Sequence, residues 1–557
     1  MVALWPATLP RIQYVFPDAM PVKWTEKMEQ RRADIKQSFL HAWHGYKKYA
    51  MGQDELRPVS NTYINKFGGW GATLIDSLTT LHIMGLDAEF NEALSHLPRD
   101  FHTKEERLSV FETTIRHLAG LISAYELSGH RHKALLRKAE ALGQALLPAF
   151  DNAAGYPSHF WDQSRSLPFD DKTLFAEVGT VQLEGEEFFM LSHHTGDTRY
   201  ATKAQTITEA LDRMGYEHGL NIPGLYPTHM STAAGGRFLD STCTLGAMGD
   251  SAYEYFLKQY ILTEGMIPQY AKMYIESIDN VKRHMLYQLP NTPLLFLPPL
   301  DTETMQPGEE MDHLACFAPG MLAIGAQLLD RPDDLVVAEG LLETCVYMYR
   351  SSSTGLGPET WRVPYNVEPY NRITYAKDRS KSREWWNDSN ATVPVGTSRN
   401  MYRRPVTPYQ LEGPLPDIRG KPRYLGLDPV DRSYMLRPET LESIFILYRI
   451  TGDPKYREYG WEIYQSIEKW CKTPSGYAAI RDVELDAYAN GTTATNNWID
   501  KMESFLLAET FKYLYLLFSP PDVISLDEYV FNTEAHPFAR RSIDWVRLIF
   551  PGQSKEE

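Results

Sequence analysis

The sequence predicts an all-α protein whose helices form hairpins repeated around a ring. Three observations carry this. Apolar residues recur at helical spacing along most of the 557-residue chain, over roughly 24–50, 70–84, 110–128, 131–147, 174–195, 198–214, 249–263, 265–287, 314–329, 333–352, 438–451, 454–471 and 500–518. Several segments are joined by look-alike polar turns, "LSGHRH" (127–132), "HTGDTRY" (194–200) and "ITGDPKY" (450–456), each with the glycine that ends a helix. Acidic residues recur at a near-constant period: Glu112 to Glu184 is 72 positions, Glu184 to Glu254 is 70, and Glu439 to Glu509 is 70. That period holds two helices and their connections, longer than common solenoid repeats, and seven such pairs need about 490 residues. Hairpins of this kind close into a toroid, an inner ring inside an outer one; an open solenoid is the alternative.

An N-terminal extension, 1–23, precedes the first helices. In "SVFETTIRHLAGLISAY" (109–125), Phe111, Ile115, Leu118 and Ile122 form an apolar stripe, with Glu112 and Arg116 beside it on one face. Ser109 and Glu112 also have capping-box spacing, which explains the acid without any chemistry. In "GAMGDSAYEYFLKQY" (246–260), Asp250 and Glu254 are again four apart. A dipole-stabilising acid and a surface pair of Glu254 with Lys258 would account for them.

Residues 353–437 interrupt the helices, are rich in Pro, Gly, Tyr and Arg, and show no clear helix. A stretch that long is functional or disordered, and its aromatics argue against disorder. In "LRPETLESIF" (436–445), Pro438 fits the first helical position and Glu439 and Glu442 share a face. "KMESFLLAETFKYLYLLF" (501–518) is apolar nearly all round, so it belongs to the inner ring. Glu509 lies in its middle, and a buried carboxylate is costly unless paired or facing a polar cavity. Phe505, four residues earlier, shares its face; a ring beside an acid suits a sugar. "EYVFNTEAHPF" (528–538) has β character and could fill the toroid as a hairpin, and 541–557 is a C-terminal tail. Acids near the starts of inner helices converge on one end of a toroid. Paired carboxylates there are what glycoside hydrolysis needs.

Composition narrows the function. Aromatics at 12% supply sugar-stacking rings or a large aromatic core. A net charge of -16 excludes nucleic acid and anionic membrane surfaces as partners. The four cysteines, Cys243, Cys316, Cys345 and Cys471, fit neither a zinc motif nor a disulfide framework and leave room for one bridge. No apolar run approaches the roughly 18 residues of a membrane helix, and the N-terminus lacks signal-peptide features. Sequons at Asn387, Asn390 and Asn490 add slight weight to a secretory setting.

The stretches "FETTIRHLAGLISAY", "GDSAYEYFLKQY", "MDHLACFAPG", "LRPETLESIFILYRITGD", "KMESFLLAETFKYLYLLFS" and "YVFNTEAHPF" together resemble glycoside hydrolase family 47, the class I α-1,2-mannosidases, over most of the chain and in the family's order. The resemblance implies an (α/α)7 barrel over 24–540 with a β-hairpin plugging one end. It implies an inverting, calcium-dependent exo-mannosidase acting on high-mannose N-glycans, with Glu112 as general acid, Glu439 as general base and Asp250 as third catalytic carboxylate. Arg116, Glu184, Asp312, His313, Arg437, Pro438, Glu442, Phe505, Glu509 and Glu534 match sugar-pocket residues. Thr533 matches the residue that ligates Ca2+ directly. Cys316 and Cys345 match the family's disulfide, leaving Cys243 and Cys471 as free thiols, and the bridge implies an oxidising compartment. The expected setting is the secretory lumen (endoplasmic reticulum or Golgi) or outside the cell, as a monomer, with any membrane anchor or targeting segment lying outside this chain. One departure concerns specificity. In endoplasmic reticulum members an arginine stands two residues before the catalytic aspartate, and here that position is Met248. The rival readings are another helical-toroid enzyme such as a glucan hydrolase, and a degradation-enhancing, mannosidase-like quality-control factor that binds glycans with weak activity.

Overall fold

The computed structural model describes residues 9–101, 107–162, 167–168, 175–217, 220–233, 235–381, 407–410, 415, 417–419, 426–485, 494–541 and 543–551. The sequons fall outside these residues. So does the side chain of Glu184, whose backbone belongs to the helix Val178–Thr195.

Two kinds of helix are present, and burial separates them except at Pro332–Ser351, an outer helix buried on nearly every side. Lys133–Leu146 buries Leu135, Ala139, Leu142, Gly143 and Leu146, a single stripe at i, i+4, i+7, i+8 and i+11, and leaves its lysines and arginine outside. Pro268–His284 and Lys455–Trp470 are amphipathic in the same way. By contrast, Asp250–Leu262 buries every residue from Ser251 onward, and Ala318–Leu328 nearly every one. A helix buried all round needs neighbours on every side, and the packing supplies them. Ala72–Ile83, Ala119–Leu127, Val178–Thr195, Asp250–Leu262, Ala318–Leu328, Glu439–Thr451 and Phe511–Leu517 each pack on the next. The π-turn Leu506–Thr510, which leads into the last, packs back on the first. Outside them lie Val22–Ala50, Asp87–Ser95, Lys133–Leu146, Arg199–Glu217, Pro268–His284, Pro332–Ser351 and Lys455–Trp470. The ring of contacts is therefore closed, as the repeat predicts, and not an open solenoid.

Along the axis runs an antiparallel hairpin, Tyr529–Phe531 paired with Pro537–Ala539. Its turn is bonded to several inner helices. Asn532 Nδ2 donates to Ile115 O (3.2 Å) and Glu187 Oε1 (2.9 Å), Ser123 Oγ to Pro537 O (2.6 Å), and Lys512 Nζ to Ala535 O (2.6 Å). Thr79 Oγ1 and Asp76 Oδ1 each lie 3.1 Å from a ring nitrogen of His536. Burial lowers the pKa of His536 to about 4 against the pull of Asp76, so the ring is neutral.

Two expectations about the helices need correction, and one further helix lies outside the expected set. The helix expected over 500–518 begins later: residues 501–503 have no regular secondary structure, and the π-turn starts at Leu506. Met502, Phe505 and Leu506 keep helical spacing across the break, so periodicity could not mark it. Residues 353–437 do contain a helix, Arg372–Lys381, hidden by its polarity because Tyr375 and few other side chains are buried. It covers the outer face of Pro332–Ser351: Tyr375 Oη donates to Pro293 O (2.8 Å), and a Cβ at Gly340 would lie 2.2 Å from that hydroxyl. Asp87–Ser95, anchored by Phe90 and Ala93 alone, was too short to show a period. At the chain ends, residues 12–14 bond to Asp527 and Arg449, and Trp545 of the short helix Trp545–Ile549 is wholly buried beside Phe189.

Candidate active site

A cavity of about 470 Å³ opens where Glu112, Asp250, Glu439 and Glu442, from the first turns of three helices, converge with the π-turn that carries Glu509. Glu112, Asp250, Glu439, Arg116, Arg437, Glu442, Phe505, Glu509, Thr533 and Glu534 all line it. The remaining described residues of the predicted set stand just behind. Asp312 Oδ2 accepts from Ala247 N (3.3 Å), and Pro438 is the residue before the helix Glu439–Thr451. His313 Nδ1 lies 2.9 Å from Glu439 Oε2.

Glu112 serves both of its sequence-level explanations. Its backbone N–H donates to Ser109 Oγ (3.2 Å), which is the cap, while its carboxylate Oε2 accepts from Arg116 Nε (2.6 Å). The reciprocal arm of a capping box is replaced by this contact with the cavity arginine. Arg116 sits in a π-turn, Thr113–Leu118, whose wider pitch shifts the register of the helix face. Its Nη1 reaches Ser504 Oγ (3.0 Å), Glu534 Oε1 and, at 3.6 Å, Asp76 Oδ2. A second π-turn, Leu506–Thr510, carries Glu509.

Glu439 is held from behind. The Nε2 of His313 lies 2.9 Å from Tyr349 Oη and 3.1 Å from Thr440 Oγ1, so the ring is fixed at both nitrogens. The Cys316–Cys345 disulfide ties the 3-10 turn His313–Phe317 to Pro332–Ser351, the helix that carries Tyr349. Cys243 and Cys471 are free and buried. Arg437 follows Leu436, whose φ of 67° is strained for a branched residue. The strain is held by Thr510 Oγ1 donating to Leu436 O (2.8 Å) and by Arg437 Nε donating to Glu359 Oε2 (2.8 Å). The guanidiniums of Arg437 and Arg116 stand 5.7 and 5.8 Å from the Phe505 ring, which leaves an aromatic platform between two cations.

Asp250 opens its helix and accepts from Ser251 N (2.7 Å). Burial, with Glu254 and Asp312 nearby, nevertheless pushes its carboxyl up to about 8. The strip before it is sterically tight: a Cβ at Gly246 would lie 2.2 Å from Asp312 Oδ2, and one at Gly249 2.4 Å from Thr244 O. Met248, at φ 75° and 40% exposed, lies on the cavity wall. Glu254 and Lys258 are buried and paired, not a surface pair. Burial pushes Glu442 up to about 8 against the pull of Lys258, and pushes Glu509 and Glu534 well above the carboxylate range. Neighbouring carboxylates add to each shift. Thr533, at the hairpin tip, donates its N–H to Tyr255 Oη (3.3 Å).

Sequence reasoning missed the outer wall, His159, Phe160, Leu314 and Phe317, and the layer of Asp76, Glu359 and Ser504 behind the two arginines. No periodicity marks loop residues. Asp76 lies within "TLIDSLTT", where an isolated acid in an apolar run was the available signal.

Two carboxylates on separate helices, set over a polar floor beside an aromatic ring, are the equipment of a glycoside hydrolase. The chain belongs to glycosyl hydrolase family 47, whose profile matches residues 38–540. It is 37% identical to the human "Endoplasmic reticulum mannosyl-oligosaccharide 1,2-alpha-mannosidase" over 92% of this chain and 64% of that protein's length. A mannosyl-oligosaccharide 1,2-alpha-mannosidase of Arabidopsis thaliana is also 37% identical, over 91% of this chain and 78% of its own. Among solved structures, an alpha-1,2-mannosidase from Trichoderma reesei superposes with a TM-score of 0.76 at 27% identity, covering 92% of this chain and 99% of that one.

Proposed function

We propose that this protein is an inverting, calcium-dependent exo-α-1,2-mannosidase that removes terminal α-1,2-linked mannose from high-mannose N-glycans in the lumen of the secretory pathway. The observation that supports this most is the cavity in which Glu112, Asp250 and Glu439 face Thr533 and Glu534. The hairpin closes it below, which suits the end of a glycan chain. The relatives named above carry the same linkage specificity in their names. The disulfide accords with an oxidising compartment. Among the described residues no helix is long and apolar enough to cross a membrane.

In this reading Glu112 protonates the leaving glycosidic oxygen, with Arg116 orienting it, and Glu439 accepts a proton from the attacking water, with His313 fixing its position. Asp250, pushed up to about 8, keeps its proton at neutral pH and donates a hydrogen bond to the substrate. Phe505 packs on the apolar face of the sugar. Ca2+ fits the donor set. Thr533, Glu442, Glu509 and Glu534 offer hard oxygen atoms only, and burial raises the three carboxyls although Lys258 and Arg116 partly offset their charge, so a divalent cation among them would favour their ionised forms. When bound, the ion supplies electrostatic orientation of sugar hydroxyls and water.

Specificity follows from Met248. A guanidinium offers five fixed donors to sugar hydroxyls, and a thioether almost none. Without such donors the wall rejects fewer branches. The enzyme is therefore expected to take a nine-mannose glycan down to five, and Met248→Arg to narrow it. A time course on that glycan, resolved by chromatography, tests this. A wild-type reaction that halts at a single eight-mannose isomer contradicts it.

A further inference from the structure

The look-alike turns noted in the sequence do more than end helices. "LSGHRH" follows Ala119–Leu127 and "HTGDTRY" closes Val178–Thr195, and both lie at the C-terminal ends of inner helices, opposite the carboxylate cavity. There Glu126, His130 and His194 each present one ligand atom, and these three atoms all lie within 4.8 Å of one another. We propose that Glu126, His130 and His194 form a second metal site, for a divalent transition-metal ion of the zinc type.

Each ligand is already placed. Glu126 is buried, and its Oε2 accepts from Ala539 N (3.3 Å), which directs Oε1 to His194 Nε2 at 3.1 Å. Zinc bonds of about 2.0–2.2 Å put tetrahedral ligand atoms roughly 3.3–3.5 Å apart, so that pair is within a few tenths of an ångström of the spacing. His130 is brought in by its backbone. Gly129 N donates to Glu126 O (2.8 Å) and His130 N to Tyr125 O (3.0 Å), which holds His130 at φ 62°, an uncommon conformation for a residue with a Cβ. Its Nε2 is buried and, among the described residues, has no hydrogen-bond partner. A shift of about 1 Å brings the third atom to the tetrahedral spacing.

The chemistry of the set is that of a transition metal. Two imidazoles and one carboxylate suit zinc and its neighbours, not calcium. Burial, with His194 and Arg541 nearby, lowers the pKa of His130, so the ring is a neutral ligand at pH 7. The C-terminal ends of two helices face the site, a polarity that favours a cation. The opposing charges are Lys133 and Arg541; Arg541 lies 3.8 Å from Glu126 Oε1, and its side chain is 40% exposed. Three protein ligands leave a fourth position for water, as in open zinc sites.

The test is a zinc titration by calorimetry on the full chain in excess calcium, which keeps the carboxylate cavity in one state. His130→Asn is the control, because asparagine accepts positive φ and removes the imidazole. Wild type should bind one equivalent that His130→Asn binds at least about a hundredfold more weakly. Cobalt in place of zinc should give the intense visible bands of a tetrahedral site in wild type alone. Circular dichroism and unchanged glycan turnover establish that the variant is folded. No stoichiometric equivalent in wild type, or one that persists undiminished in His130→Asn, overturns the proposal.

Discussion

Glu439→Gln and Glu112→Gln should each lower kcat by several orders of magnitude while the melting temperature barely moves. Each substitution keeps the shape of the side chain and removes a proton-transfer group, an effect of roughly 10²–10⁴-fold by itself. The structure separates this from capping. The bond that caps the start of the helix runs from the backbone N–H of residue 112 to Ser109 Oγ, and glutamine leaves it in place. A purely structural Glu112 predicts full activity, with no more than the roughly 1 kcal/mol stability change of a cap. At 439, the amide can still meet His313, so its loss of activity would report the missing base and not a displaced loop. Steady-state kinetics with thermal melts on both variants decide between the two accounts.

Removing calcium is expected to abolish activity and lower the melting temperature. An ion bound only by the folded state at a thousand times its Kd contributes about 4 kcal/mol by linkage. The pH dependence gives a sharper readout. Glu442 is pushed up from 4.5 to about 8, and Glu509 and Glu534 are raised well above the usual carboxylate range, so the folded protein binds more protons than the unfolded one across this range. Stability of the metal-free protein is therefore greatest below pH 4.5 as far as these groups are concerned, and is lost as pH rises through about 8. A bound divalent cation favours their charged forms and flattens that slope. Thr533→Ala should weaken calcium binding and restore the slope. Calorimetric melts between pH 5 and 8, with and without calcium, measure it. A rigorously metal-free sample with full activity contradicts the prediction.

Much of this was legible in the sequence because the toroid repeats. Inner helices must be apolar all round, so an acid in one of them, such as Glu509, stands out against its own segment. The period carried Glu254 as well, although its burial did not follow from helix spacing, since an i, i+4 pair reads the same on a surface or in a core. Thr533 and Arg437 were recognised only through the family's motifs, because a hairpin tip and a pre-helix loop have no periodicity to violate. The layer behind the site was out of reach for a different reason. Asp76, Glu359 and Ser504 meet the arginines across sequence separations that no local pattern encodes. The two π-turns were equally silent, because five or six residues are too few for a one-residue widening to show as a change of period.

The most direct measurement of the central claim is proton NMR of the first mannose released from a nine-mannose N-glycan. With Glu112 as acid and Glu439 as base acting on a water from the opposite face, the product appears as β-mannose and converts to the α anomer only afterwards. Release of α-mannose as the initial anomer, or no release of mannose at all, would contradict the account.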